Sequence, residues 1–348
     1  MRTIFCTALV LLLAPSLRAQ GKVQMSLPAP LLTSIGDAIT IEANALLDVK
    51  VIGGGRVLVV EGRPPRVGVF GPDGHVEWEN TRVGIGPNEL QFPYRIAESS
   101  NGVTVLDIGS KSLLWMDRNG RYLRRTNLGL DFATVSDVSV LRNGQVVIAG
   151  ISSDYRARGF ALHLFDRNLM WLRSFVGLPQ PLGDRSAGST LVGSLTLLAD
   201  ETLLFASSLT AETIVLAADL RVRQRLPLRG VATTRVDSLI ARVNIPGRSE
   251  KVTVNQNASI LTQVLGGPNG GVLAIVRSKE KFVVQAYRAD GTVWFTKQLA
   301  READGVPIQT ELQGCSILTY KRGNENIVVR SVRFAHYFSI ASHEDPCV

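Results

Sequence analysis

The side chains in this sequence that could carry chemistry are few and scattered. Its four histidines are His75, His163, His336 and His343. His75 follows an Asp-Gly turn, His343 lies near the C-terminal end, and His163 alternates with Leu162 and Leu164 on an apolar run. They do not read as the converging ligand set of a zinc centre. The chain has no Gly-x-Ser-x-Gly elbow, and none of its cysteines is placed with a histidine as a nucleophile and base. Gly84-x-Gly86 precedes no helical pattern, so it is not a dinucleotide phosphate loop. Cys6 falls within the first apolar run, leaving Cys315 and Cys347. In an oxidising compartment these two could pair, closing a loop of about 31 residues for roughly 3 kcal/mol of stabilisation in the chain-entropy model. The alternative is two unpaired thiols, and spacing alone does not decide between them.

What positions these residues is read first from the chain ends and composition. Arg2 followed by the apolar stretch from Ile4 to Leu13 and the small residues from Pro15 to Ala19 reads as a secretory signal, residues 1–19, with cleavage at Ala19. That stretch is too short for a membrane span, and no later segment approaches the roughly 20 apolar residues a span needs. The expected product is a secreted or periplasmic monomer in which 20–36 form a linker and 37–348 one domain. Of 348 residues 45% are hydrophobic and 20% charged, which excludes disordered and coiled-coil classes. Removal of the signal deletes Arg2 and Arg18, so the formal charge falls from +8 to +6. Arg221, Arg223 and Arg225 alternate along one face, as on a solvated edge strand, so the basic balance does not demand nucleic acid as a partner.

A rhythm runs through the domain. "PYRIAES", "GVTVLDI", "SLLWMDR" and "RYLRRTNL" are four short apolar or alternating runs separated by turn sequences ending in Asn-Gly or Gly-Ser-Lys. The second run recurs as "RVLVVEG", "GQVVIAG", "ETLLFAS", "GGVLAIVR" and "CSILTYKR". Steps between Val57, Val103, Val146, Leu203, Val272 and Ile317 are 46, 43, 57, 69 and 45 residues. Four antiparallel strands in about 40 residues make one blade of a β-propeller, and six copies predict six blades. The expected fold is all-β, with "DAITIEA" from Asp37 completing the abbreviated last copy so that no blade edge stays open. Val236, Leu239, Ile240 and Val243 have helical spacing and predict a short helical insertion near residues 233–245. Trp78, Trp115, Trp171 and Trp294 occupy strand positions and are expected between blades.

The segment "GIGPNELQFPYRIAESSNGVTVLD…KSLLWMDRNGRYL" resembles the NHL-type repeat of six-bladed β-propellers. Over one blade the match is close; elsewhere it is one of rhythm. In that family Gly84, Gly86 and Pro87 would turn the chain from one blade's outer strand to the next blade's inner strand; if Gly86 enters this connector with positive φ, Gly86→Ala should cost about 1 kcal/mol or more. The resemblance also implies that these connectors and the loops between second and third strands share one face around the channel, the expected ligand face. It would carry Glu61, Arg63, Asn88, Glu89, Asp107, Lys111, Asp154, Tyr155, Arg156, Arg158, Asp184, Arg185, Lys279 and Lys281. Arg95 and Asp107 could equally be hydrogen-bonding groups of the blades. The motif is specific for the fold and not for function; the function expected is a binding or protein-interaction module for an exported protein or a polar or anionic small ligand, with no cofactor and no turnover. The alternative is a metal-dependent hydrolase or lactonase holding calcium or zinc on loop carboxylates such as Glu61, Asp107 and Asp154.

Overall fold

A computed structural model describes residues 38–42, 46–53, 55–99, 101–178, 193–233, 240–243, 251–254, 259–278, 281–300, 306–310, 316–322 and 326–338. These residues fold as a β-propeller of four-stranded antiparallel sheets. Blade one runs inner to outer through Leu46–Ile52, Arg56–Gly62, Pro65–Phe70 and Val76–Asn80. The inner strands of blades two to five are Pro93–Ser99, Phe132–Val140, Gly193–Leu197 and Ile260–Gly266, each followed by three consecutive strands. Every second-strand run read from the sequence is a strand next to an inner strand.

Five blades are thus continuous pieces of chain, rather than the six expected. A further four-stranded sheet is composite: Val306–Thr310, Ser316–Arg322 and Asn326–Arg333 from the C-terminal part take Ala38–Glu42 as their outer strand. Ala38 pairs with Arg330 and Glu42 with Asn326, so the N-terminal strand covers what would be an open edge. Inner strands touch in cyclic order, and Val306–Thr310 meets both Ile260–Gly266 and Leu46–Ile52. Among the described residues the six inner strands thus follow one another around a closed ring.

Packing follows from strand alternation. Second and third strands are buried on both faces, as in Gly102–Asp107 and Ser112–Met116, so they read as near-continuous apolar runs. Their side chains fill six apolar clusters, one between each pair of neighbouring sheets; Leu58, Val67, Ile96 and Leu114 belong to the cluster between blades one and two, and Leu318, Val57 and Val59 to the one between the composite sheet and blade one. At roughly 1.5–3 kcal/mol per fully buried aliphatic side chain, these clusters dominate the cohesion of the ring. Trp78, Trp115, Trp171 and Trp294 all pack against such clusters, as their strand positions implied. Trp78 Nε1 also donates to Arg118 O of the next blade at 3.2 Å.

The helical insertion is corrected. Ile240–Val243 is a strand, paired antiparallel with Lys251–Val254. Both runs are rich in β-branched residues, and the intervening Pro246-Gly247 is turn chemistry; a helical spacing of four apolar residues does not outweigh these. A four-residue helical turn does occur, at Phe334–Tyr337 after the last strand. The segment "GGPNGG" from Gly266 makes a single 3-10 turn at Pro268–Gly270, with Asn269 in the left-handed region.

Candidate functional site

In blades two, three and four the loop between second and third strands lies beside a connector of the same blade. Ile108 N donates to Phe92 O, Leu128 N to Lys111 O, Ser153 N to Asp131 O, Leu178 N to Gly159 O and Leu228 N to Ala211 O, each joining a loop between second and third strands to a connector. Arg63, Lys111, Tyr155, Arg156 and Arg158 are exposed on these loops, Tyr155 by 82%. Lys111 Nζ lies 3.5 Å from the Asp131 carboxylate. Asp154 takes the Arg156 guanidinium at 2.5 Å, and this hydrogen bond draws its pKa down to about 2. Arg156 also lies over the Trp171 ring. Lys281 is exposed and donates to Gln298. Asp184, Arg185, Lys279, Cys315, Cys347 and Ala19 lie outside the described residues.

Three of the expected carboxylates have other work. Glu61 is buried and paired with Arg66 at 3.1 Å. Asp107 is fully buried and accepts the backbone N–H groups of Gln91, Phe92, Gly109 and Ser110, with Arg125 at 3.8 Å. Glu89 Oε2 accepts from Gly86 N at 2.7 Å, while Arg125 donates to the carbonyls of Ile85 and Glu89. The Gly-x-Gly-Pro-x-Glu connector is therefore a clasp that anchors blade two. Its strained glycine is Gly84, at φ 149, and not Gly86 as expected. Among the described residues no three His, Cys, Asp or Glu side chains gather as a metal site, and Glu61, Asp107 and Asp154 do not fit the role. His163 is buried, with Nδ1 against Ser174 Oγ at 2.8 Å and Nε2 against Gly150 O at 3.2 Å. Burial pushes its pKa down to about 4, so it is a neutral packing residue.

A cavity of about 270 Å³ opens instead between the inner strands, lined by Leu46 to Lys50, Arg95, Asp137, Ser194 to Thr196, Thr262, Gln263, Ile275, Arg277 and Phe282. The early residues of the inner strands, with Arg277 at the end of the second strand and Phe282 near the start of the third strand of blade five, place it in the half of the channel nearest the loops between second and third strands. The backbone explains why polar side chains stand here. Inner strands carry a bulge just before Asp48, Arg95, Asp137, Gln263 and Gln309, which puts that one residue at an equivalent position in each.

These side chains join blade to blade. Asp48 Oδ2 accepts Ile96 N at 3.0 Å, and Asp137 Oδ2 accepts Leu195 N at 2.8 Å. Each carboxylate's second oxygen takes the next amide of its own strand, Val49 N or Val138 N. Arg95 Nε donates to Ser136 O and its Nη1 to Leu47 O, both at 2.9 Å, linking three blades. Lys50, two residues beyond the bulge position of its strand, donates from Nζ to Ile96 O at 2.5 Å, and Thr196 Oγ1, on the fourth inner strand, which has no bulge, donates to Val264 O at 2.7 Å. Burial raises the Asp137 pKa; Lys50 and Arg95 oppose this, and Asp48 adds to it. Both its oxygens are engaged by backbone amides, which makes it a clamp and not a proton donor.

Sequence reasoning singled out Arg95 but missed Asp48, Lys50, Asp137, Ser194 and Arg277. The signal lay in superposing the inner runs "LLDVKV", "PYRIAE", "VSDVSV" and "LTQVLG", each with one large polar residue at the third place.

No protein-family model matches the chain, and no curated protein does. Solved structures do. A protein from Bacteroides fragilis NCTC 9343 described as exported superposes with a TM-score of 0.55 at 8% identity, covering 85% of this chain and 95% of that one. U3-55K gives 0.53 at 10% identity over 85% of this chain and 98% of its own. A member of the duf4221 family from Bacteroides vulgatus gives 0.50 at 8% identity over 86% and 98%. At such identities the likeness is one of fold: the chain is similar to β-propellers across most of its length.

Proposed function

We propose that this chain is an exported β-propeller binding module that takes a small polar ligand into the cavity at the mouth of its channel. The composite sheet then counts as the sixth blade of an NHL-type ring. The reading rests on one observation above all. The cavity is where Asp48 and Lys50 of blade one, Arg95 of blade two, Asp137 of blade three and Arg277 of blade five line a common space. A polar concavity on a preformed scaffold is what a ligand site requires, because little ordering cost is left for binding. The mouth loops, with Arg63, Glu89, Lys111, Tyr155, Arg156 and Arg158, would form its rim. Export is supported by the signal-like N-terminus and by the description of the Bacteroides fragilis neighbour; no described helix is long and apolar enough to cross a membrane. The metal-hydrolase reading finds no support in the committed carboxylates.

The test is thermal denaturation of the wild type and of Thr262→Trp, which fills the cavity, against a panel of small polar molecules. Stabilisation by at least one compound that Thr262→Trp abolishes is the expected result. Shifts that survive the substitution would place binding elsewhere and overturn the reading.

A further inference from the structure

We infer that the outer wall of blades two to four docks on the surface of an anionic lipid bilayer. The wall consists of the last hairpin turn and outer strand of each blade, residues 117–127, 166–177 and 217–227, and each outer strand is the edge of its sheet. The three hairpins form one surface. Arg124 of blade two donates to Arg167 O of blade three at 2.8 Å, and Arg173 of blade three to Asp219 O of blade four at 3.5 Å.

The charge of this wall is one-sided. Its hairpins hold nine arginines, no lysine and no glutamate, against Asp117, Asp166 and Asp219. Glu212 on the neighbouring strand pairs with Arg225 and adds one acid. The three aspartates are accounted for by turn chemistry, since each accepts backbone amides of its own turn: Asp117 from Asn119 and Arg121, Asp166 from Asn168 and Met170, and Asp219 from Arg221. The same hairpin of blade one, residues 71–80, has the opposite sign, with Asp73, Glu77 and Glu79 and neither lysine nor arginine. A basic wall is therefore a property of this sector and not of the turns of the fold. Arg124 and Arg173 lie over the rings of Trp115 and Phe175, and Arg125 holds the connector. Arg121, Arg167, Arg221 and Arg223 are exposed.

Apolar side chains share the surface. Of the ten large hydrophobic side chains exposed among the described residues, Tyr122, Leu123, Met170, Leu172 and Val222 stand on these three hairpins. Met170 and Leu172, 63% and 48% exposed, occupy the middle blade, between the arginine-rich hairpins of blades two and four. A soluble polyanion would give such side chains nothing to bury against. A bilayer does: they enter the acyl boundary while arginines extend to the headgroup phosphates, whose geometry suits the guanidinium fork. Basic residues held near an anionic leaflet add to that attraction one by one. The wall lies on the circumference of the ring, so docking leaves the channel mouth open.

The test is flotation of the purified protein with vesicles of phosphatidylcholine alone and of equimolar phosphatidylcholine and phosphatidylglycerol, at low and high salt. Binding to the anionic vesicles only, weakened by salt, is the expected result. Arg167→Gln combined with Arg223→Gln should weaken it roughly thirtyfold. Met170→Ser combined with Leu172→Ser should weaken it roughly tenfold, whereas Ile85→Ser, at an exposed apolar position off the wall, should leave it unchanged. These side chains are exposed, so the variants should melt with the wild type; Arg121→Gln with Arg221→Gln replaces the first pair if it does not. Equal binding to both kinds of vesicle, equal binding by every variant, or no binding to either vesicle would overturn the inference. Binding that the arginine variant loses and the serine variant keeps, with soluble polyphosphate bound as tightly as the vesicles, would also overturn it and assign the wall to a polyanion.

Discussion

The Asp137 carboxylate accepts the backbone N–H of Leu195 at 2.8 Å across the boundary between blades three and four. Its other oxygen holds Val138 N at 2.8 Å, so one buried side chain fixes two strands at the cavity wall. The same arrangement recurs at Asp48 and Ile96 between blades one and two. Blade geometry and cavity geometry are thus set by the same groups.

Asp137→Asn follows directly from this. An amide has one acceptor oxygen, so one of the two backbone N–H groups loses its partner and faces the side-chain NH2. The expected loss is about 1–3 kcal/mol of stability, read as a lower midpoint in urea. An unchanged midpoint would show that the clamp carries no load.

The connector makes a second prediction. Gly84 has φ 149, and a Cβ there would come within 2.1 Å of the Glu89 carboxylate. At Gly86, which lies outside the left-handed region, the nearest approach is 2.8 Å. Gly84→Ala should cost more than about 1 kcal/mol, and Gly86→Ala less. Thermal melts of the two variants side by side decide the order.

Asp107 separates structure from recognition. Its carboxylate serves four backbone amides, so Asp107→Ala should destabilise by about 2 kcal/mol or more. Measured where the variant is still folded, its affinity for any cavity ligand should match the wild type. A loss of affinity without a loss of stability would return Asp107 to the ligand face.

His163 links stability to pH. Its folded pKa is about 4, below the ordinary value of 6.5. As pH falls below 6.5 the unfolded chain gains a proton that the folded chain refuses until about 4. The stabilisation is therefore complete above pH 6.5, declines between 6.5 and 4, and levels off below; the span is on the order of 3 kcal/mol. His163→Asn should be less stable at neutral pH but show a shallower decline over that window in denaturant titrations. An unaltered slope would mean that other groups control it.

Much of the fold was legible because second and third strands are buried on both faces and end in turns that demand Gly, Asn or Asp. Val57, Val103, Val146, Leu203, Val272 and Ile317 all lie in strands next to the channel strands. The closing role of Ala38–Glu42 was readable too, since a last copy one strand short needs a partner for its edge. Less legible was the hairpin of Ile240–Val243 with Lys251–Val254: the four apolar residues have helical spacing, and a strand of four residues is too short for its own alternation to show against it. The cavity was harder still. Its residues stand out only when inner strands are superposed at their bulges, and a bulge shifts the alternation on which a reading of single strands depends. Exposed loop charges drew attention instead, although Glu61 and Asp107 among them are buried and spent on the framework.

The most direct measurement is native mass spectrometry of the protein purified from its own host, as wild type and as Thr262→Trp. A small molecule of defined mass bound to the wild type and missing from the folded variant is the predicted result. Equal occupancy of both proteins, or a wild type that carries nothing and gains nothing when incubated with host extract, would contradict the claim that the channel mouth is the binding site.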